Sequence, residues 1–170
     1  MATYTLISSN VLSSTATSVT FSSIPATFTD LVVRCSVRTS VAATEDYILV
    51  RVNGISSAVY SATNLNGTGT TVNSDRLSAS TYTYFLSDAA NNTANTFCNT
   101  EIYFPNYLSN QNKPFSIFSV EENNTTGTAM SATAGLYGQT TAISSISFTP
   151  FTGPNISVGS SFYLYGISNA

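Results

Sequence analysis

Hydrophobic and polar residues alternate one by one along several short stretches of this chain, which is the pattern of half-buried β-strands. In the clearest stretch, residues 30–38, one face carries Leu31, Val33, Cys35 and Val37. Because successive side chains of a strand point to opposite faces, we expect these four residues to face the core. The two arginines of the stretch belong to the other face and are predicted to point away.

Residues 97–104 alternate in the same way, with Cys98, Ile102 and Phe104 on one face. The two cysteines of the chain, Cys35 and Cys98, therefore both lie on predicted core faces. The N-terminus has no basic or apolar region of signal-peptide type, which predicts synthesis in the cytoplasm. Because thiols usually stay reduced in the cytoplasm, we expect Cys35 and Cys98 to be two buried free thiols, with a disulfide as the alternative.

Further runs rich in β-branched and aromatic residues are separated by Asn, Gly, Ser, Thr and Pro, which is the pattern of many short strands joined by turns. These runs are residues 3–8, 18–23, 47–52, 55–61, a segment near 81–85, 115–120, 129–137, 143–149 and 161–167. The dipeptide Asn53-Gly54 predicts a tight hairpin between the strands that flank it. Residues 64–74 and 88–96 are polar and are predicted to be loops. No segment shows sustained helical periodicity.

Many short strands with frequent turn signals are typical of a sandwich or a jelly roll. A chain of 170 residues is most often one domain and is long enough to bury a core without disulfides or metals. We therefore predict an all-β fold, a single antiparallel β-sandwich of jelly-roll type that spans residues 1–170.

Charge is scarce: only 8% of the residues are charged, with no histidine, one lysine and four arginines, for a net charge of −3. An ordinary soluble domain carries about 25% charged residues. The few basic residues are scattered, which argues against nucleic acid as a partner. No run of about 20 apolar residues is present, which argues against a membrane span. Such a surface suits a protein that is packed into a larger assembly.

Catalytic and metal-binding candidates are few. Lys113, beside a polar turn, is the only amine that a Ser or Thr nucleophile could use, and we expect it to be solvated. The acidic pairs Glu45-Asp46 and Glu121-Glu122 are neighbours whose side chains are predicted to point to opposite faces. A calcium ion held by Asp75 or Asp88 with Asn and backbone oxygens is an alternative to a plain Asx turn. We predict no enzyme activity, no catalytic or metal residues and no cofactor.

Tyrosines are the remaining candidates for binding, because tyrosine covers a large contact area and keeps a polar group. They could stack on sugars or lie in a protein interface, or they could be half-buried sandwich residues. The set is Tyr47, Tyr60, Tyr82, Tyr84, Tyr103, Tyr107, Tyr163 and Tyr165.

Several short sequence segments, spread over nearly the whole chain, resemble segments of a known group of proteins. They are TLIS at residues 5–8, FSSIPATFTDLVVR at 21–34, RVNG at 51–54, IYFPNY at 102–107, ISSISF at 143–148 and GSSFYLYGI at 159–167. In these phrases the chain resembles small virion proteins of tailed bacteriophages, notably of aquatic and cyanobacterial hosts. They are structural phrases and not catalytic motifs.

The resemblance implies a non-enzymatic jelly-roll module, often a homotrimer, that serves as a head decoration (cement) protein or a tail appendage. We expect a capsid decoration protein on the virion exterior, with the major capsid protein as its partner and no nucleic acid or membrane. A receptor- or glycan-binding module of a tail fibre or spike is the alternative, and an enzyme such as a depolymerase is disfavoured by the missing histidine. For the contact we predict the N-terminal segment and one of the two polar loops, with the residues Ala2, Thr3, Tyr4, Asn66, Thr68, Asn91 and Asn92.

Overall fold

The computed structural model describes residues 2–124 and 129–168, and twelve β-strands lie within those ranges. The strands are β1 (Thr3–Val11), β2 (Val19–Phe21), β3 (Asp30–Val37), β4 (Glu45–Val52), β5 (Tyr60–Gly67), β6 (Val72–Ser80), β7 (Thr83–Asp88), β8 (Cys98–Phe104), β9 (Lys113–Glu121), β10 (Ala129–Tyr137), β11 (Ile146–Pro150) and β12 (Ser161–Ser168). In this part of the chain no helix is long and apolar enough to cross a bilayer.

Two antiparallel sheets form the protein. The large sheet has the strand order β1-β12-β3-β8-β9-β10-β5-β6, and the small sheet has the order β2-β11-β4-β7. Every paired strand within the two sheets runs antiparallel to its neighbour. The prediction of an all-β antiparallel sandwich is therefore confirmed.

The core lies between the sheets and uses the faces that the alternation predicted. On β3, Leu31, Val33 and Val37 are fully buried, and on β8 Ile102 and Phe104 are fully buried. The Phe148 ring packs at centroid distances of 5.1 to 6.5 Å from three other rings, those of Phe21, Phe85 and Phe162. The two cysteines are buried free thiols, as expected.

The predicted hairpin at Asn53-Gly54 is wrong. Both residues do adopt positive φ, 55° and 65°, but β4 belongs to the small sheet and β5 to the large one. The Asn53 side chain instead binds the loop before β11, since its Oδ1 accepts hydrogen bonds from the backbone N–H groups of Ser144 and Ser145. The turn therefore carries the chain between the two sheets and does not join paired strands.

The predicted polar loop at residues 64–74 is also wrong. Most of it forms the β5–β6 hairpin, and only residues 68–71 lie between the two strands. Cross-strand polar contacts stabilise this hairpin, such as the bond of 2.6 Å from Asn64 Nδ2 to Asp75 Oδ1. The other predicted loop does follow β7, with Asp88 as the last residue of that strand.

Candidate interaction surface and buried acidic cluster

Four exposed apolar side chains lie close together on the outer face of the large sheet. Phe118 and Leu65 flank Ala132 in one cross-strand row, and Met130 and Val72 belong to the next row. Their exposed fractions run from 50% for Phe118 to 73% for Val72. We call Leu65, Val72, Phe118 and Met130 the apolar patch. Contiguous apolar surface with a polar rim marks interaction sites on soluble proteins.

The rim of the patch carries one exposed ion pair. Arg34 Nη2 lies 2.8 Å from Glu101 Oε2, and both residues line a shallow groove together with Phe118. An exposed pair of this kind contributes about 0–1 kcal/mol to stability. The pair therefore adds little to stability and marks the polar border of the patch.

The edge strand β6 adjoins the patch. Among the described strands it pairs only with β5, and seven of its nine residues are exposed. An unpaired edge offers free backbone N–H and C=O groups to another chain. Natural edges are often protected by charge, but β6 carries only Asp75 and Arg76. The patch and the β6 edge together form a continuous candidate interface.

The predicted contact residues separate into two groups. Ala2, Thr3 and Tyr4 are exposed at the start of the edge strand β1. Register places this corner at the edge and at the end of the large sheet opposite to the β5–β6 tip. The N-terminal segment therefore does not lie beside the two predicted loops.

The two predicted loops do lie at the same end of the sandwich. Asn66 is half-buried on β5, and Thr68 is half-buried in the hairpin tip, where its Oγ1 lies 2.8 Å from Thr71 Oγ1. Asn91 is exposed in the loop after β7, but Asn92 is buried. The Asn92 side chain is engaged inside the protein and is not available at the surface.

An aromatic pocket lies on the small sheet. Tyr47, Tyr82, Tyr84 and Phe151 line it together with Leu49. The Tyr47 and Tyr84 rings are edge-to-face at a centroid distance of 5.0 Å. Burial, and next the charge of Asp75, raise the pKa of Tyr84 above its usual range, so its hydroxyl stays protonated. Half-exposed rings with a polar group suit stacking on a sugar.

Two carboxylates meet inside the protein, near the end of the sandwich that carries the β5–β6 tip and the loop after β7. Asp88, at the end of β7, is fully buried, and Glu121, at the end of β9, is 2% exposed. Asn92 Nδ2 donates hydrogen bonds to Asp88 Oδ1 at 2.6 Å and to Glu121 Oε1 at 2.7 Å. Asn123 Nδ2 donates to the same two oxygens at 3.2 and 3.4 Å. We call these four residues the acidic cluster.

The acidic neighbours were predicted to point to opposite faces, and they do. Glu121 is buried while Glu122 is exposed, and Asp46 is buried while Glu45 is exposed. The buried carboxylates of Asp46 and Glu121 have different surroundings. Asp46 accepts hydrogen bonds from two backbone N–H groups, whereas Glu121 faces another carboxylate. The two carboxylates that meet in space are therefore not sequence neighbours. Asp88 and Glu121 lie at the ends of two strands that are distant from each other along the chain.

Glu121 holds its proton unusually strongly. Burial, and next the negative charge of Asp88, raise the pKa of Glu121 from 4.5 to about 8, and Glu45 adds a smaller effect. The folded protein then binds more protons than the unfolded chain between these two values. We expect the contribution of Glu121 to the free energy of unfolding, measured in EDTA, to be largest below pH 4.5.

As the pH rises from 4.5 to 8, this contribution should fall by up to about 1.4 kcal/mol per pH unit and then level off. Urea unfolding at a series of pH values measures the trend. Glu121→Gln removes the titrating group and should flatten the curve in this window. The matched substitution of exposed Glu122 by Gln should leave the slope in place. A slope that Glu121→Gln does not change would contradict the assignment.

Lys113 was predicted to be solvated, and that prediction is wrong. Its side chain is fully buried, because β9 begins at Lys113 and places it in phase with the inward-facing Phe115 and Ile117. Its Nζ donates to the backbone carbonyls of Ser109 and Gln111 at 2.6 Å, and more weakly to those of residues 139 and 140. Desolvation lowers the pKa of Lys113. The lysine joins two loops and is not placed as a catalytic base.

Arg38 organises the loop that supplies Asn92. Its guanidinium donates four hydrogen bonds of 2.9 to 3.2 Å to the backbone carbonyls of residues 90, 92, 93 and 96. It therefore orders the loop through the main chain.

Within the described residues, no group of three or more His, Cys, Asp and Glu side chains is arranged to hold a metal. The acidic cluster has two carboxylates and two amides. The sequence points to Asp88 as a possible calcium ligand but not to Glu121, which the structure places beside it. Comparisons with models of protein families, with curated proteins and with solved structures found no match to this chain.

Proposed function

We propose that this chain is a non-enzymatic structural protein of a virion, a decoration protein that binds the major capsid protein lattice on the head exterior. The observation that carries the proposal is the apolar patch beside the unpaired β6 edge, in a chain with only 8% charged residues. Surfaces of this kind become stable when another chain covers them. The resemblance of the sequence to virion proteins supplies the biological setting.

The winding of the strands supports the same proposal. Without the hairpins β5–β6 and β9–β10, the sheets have the orders β1-β12-β3-β8 and β2-β11-β4-β7. Each strand of one sheet then lies opposite a strand that is its neighbour in the chain: β1 with β2, β12 with β11, β3 with β4 and β8 with β7. We infer a jelly roll, the eight-strand arrangement found in viral capsid proteins and in lectins. Fold analogy alone does not assign a function.

The protein would act through binding energy alone. In a symmetric homotrimer, each copy covers the apolar patch and the β6 edge of a neighbour. The end of the sandwich that carries Thr68 and Asn91 is then left to contact the shell. Because these contacts exist only in the assembled particle, they stabilise the assembled state by mass action.

Size-exclusion chromatography with light scattering tests the self-association. We expect the wild type to have three times the 18.0 kDa mass of one chain. The double variant Leu65→Lys, Phe118→Lys should be a monomer with unchanged circular dichroism, because two charges would be buried without partners. Thr152→Lys, at an exposed position of the loop after β11, is the control and should stay trimeric. A monomeric wild type, or a double variant that stays trimeric, would contradict the proposed interface.

The aromatic pocket favours a second candidate, a glycan-binding module. Tyr82 and Phe151 have a centroid distance of 6.1 Å, and the Arg51 guanidinium lies 5.9 Å from the Tyr82 ring centre. Rings and a cation at one site suit a polar, ring-shaped ligand. Selective binding on a glycan array that is lost in Tyr82→Ala would favour this candidate over the decoration role.

A further inference from the structure

The acidic cluster poses an electrostatic problem. With both groups ionised, the carboxylates of Asp88 and Glu121, at 0% and 2% exposure, would repel each other, and within residues 2–124 and 129–168 no ion pair with a basic side chain relieves that repulsion. All five basic residues lie in this part of the chain, and each is placed elsewhere. Arg34 pairs with Glu101, Arg38 and Lys113 bind backbone carbonyls, Arg51 lies beside Tyr82, and Arg76 is on the exposed strand β6.

Three buried oxygens of the cluster lack partners. Asp88 Oδ2, Glu121 Oε2 and Asn92 Oδ1 accept no hydrogen bond from any other described residue, and Glu121 and Asp88 are joined only when Glu121 keeps its proton. A buried polar atom without a partner costs about 1–3 kcal/mol, and more when the group is charged, and native proteins hold few of them. Asn92 is itself 94% buried, as its 6% exposure shows, and its side chain lies between the two carboxylates. These orphaned oxygens indicate that something with positive charge belongs here.

We propose that Asp88, Glu121, Asn92 and Asn123 form a binding site for a hard divalent cation of the Ca²⁺ type. Carboxylate and amide oxygens are the ligands that Ca²⁺ prefers. Once Glu121 has released its proton, the two carboxylates supply a charge of −2, which one such ion neutralises. Oxygen and nitrogen of an Asn amide exchange places when the group turns over, so Asn92 and Asn123 can present Oδ1 to the ion where Nδ2 now faces the carboxylates.

The site joins three segments of the chain. Asp88 ends β7 of the small sheet, Asn92 lies in the following loop, and Glu121 ends β9 of the large sheet. A bound ion therefore crosslinks the two sheets at the end of the sandwich that carries the predicted loops. This inference does not depend on the proposed virion role.

Calcium titration of the EDTA-treated wild type tests the site by isothermal calorimetry and by thermal unfolding. We expect one ion per chain and a midpoint of unfolding that rises by roughly 5–10 °C at 100 times the dissociation constant. At pH 7 in EDTA, Glu121→Gln should be about as stable as the wild type, because glutamine is uncharged like the protonated Glu121 of the ion-free protein, but it should not respond to Ca²⁺. The exposed neighbour provides a matched control, and Glu122→Gln should respond like the wild type.

A wild type that shows neither heat of binding nor a thermal shift with Ca²⁺ would overturn the proposal. In that case, a hydrogen bond from protonated Glu121 to Asp88 would hold the two carboxyl groups together without an ion. An equal response of Glu121→Gln would also overturn it, because the ion would bind elsewhere. The wild-type titration decides the question by itself if the variant does not fold.

Discussion

Gly135→Ala is expected to destabilise the protein by about 3 kcal/mol, near the upper end of the usual cost of overpacking. A Cβ at this position would lie 2.1 Å from two ring carbons of Phe115. Phe115 is the direct cross-strand partner of Gly135, is 4% exposed, and packs on the Phe104 ring at 5.5 Å. The buried ring lies over the glycine, so an added methyl group requires the ring or the strand to shift.

Urea unfolding measures this loss, and two other glycines serve as comparisons. Gly67→Ala should change stability by less than about 0.5 kcal/mol, because its nearest neighbour, Met130 Cγ, is 3.6 Å from the added atom. Gly166→Ala meets Phe28 at 2.2 Å, but Phe28 is only half-buried and can shift, so the cost should be intermediate. Gly135→Ala with the stability of Gly67→Ala would show that the Phe115 ring is mobile.

A double-mutant cycle identifies the cause. Phe115→Leu alone should destabilise the protein through lost contacts. Combined with Gly135→Ala it should cost less than the sum of the two single changes, because the smaller side chain makes room for the methyl group. Simple additivity would mean that the loss in Gly135→Ala does not arise from the contact with Phe115.

Lys113→Met is expected to destabilise the protein by a similar amount, about 3 kcal/mol. Methionine keeps the length and the apolar stem, but the carbonyls of the loops at 109–111 and 139–140 lose a charged donor. Hydrogen bonds to a charged group are worth about 1.5–3 kcal/mol each when their loss leaves no substitute. Gln111 and Thr140 are exposed residues, so we expect water to replace part of the lost donor, which keeps the total below the sum of the separate bonds.

Gln111→Met, which changes an exposed side chain of the turn before Lys113, is the control for Lys113→Met and should change stability by less than about 0.5 kcal/mol. Chemical unfolding of both variants at one pH gives the comparison. Equal stability of the two variants would mean that Lys113 is not a structural crosslink.

Period-two alternation predicted the strands that are half buried and missed those that are not. It placed Leu31 and Ile102 in the core correctly, because one face of β3 and of β8 is apolar. On β6 both faces are exposed, so no apolar face marks the strand. Polar cross-strand pairs stabilise that hairpin, and their partners are not visible in a single segment. Likewise, Asn53-Gly54 predicted a turn with positive φ but could not tell which strands would pair.

The residues of the acidic cluster could have been found in part. Lys113 and Glu121 are both in phase with Phe115 and Ile117 along β9, so a longer strand would have placed both side chains in the interior. That Glu121 meets Asp88 depends on the contact between β7 and β9, strands of different sheets. No spacing in the sequence encodes that contact.

The most direct test of the proposed function is cryo-electron microscopy of particles isolated from the source of this sequence. We expect density for this chain in many symmetric copies on the head shell, with the apolar patch and β6 covered by neighbouring chains. Density at a tail tip would contradict the decoration role and favour glycan binding. Absence of the chain from the particle, or a patch and β6 edge that face solvent there, would contradict the account as a whole.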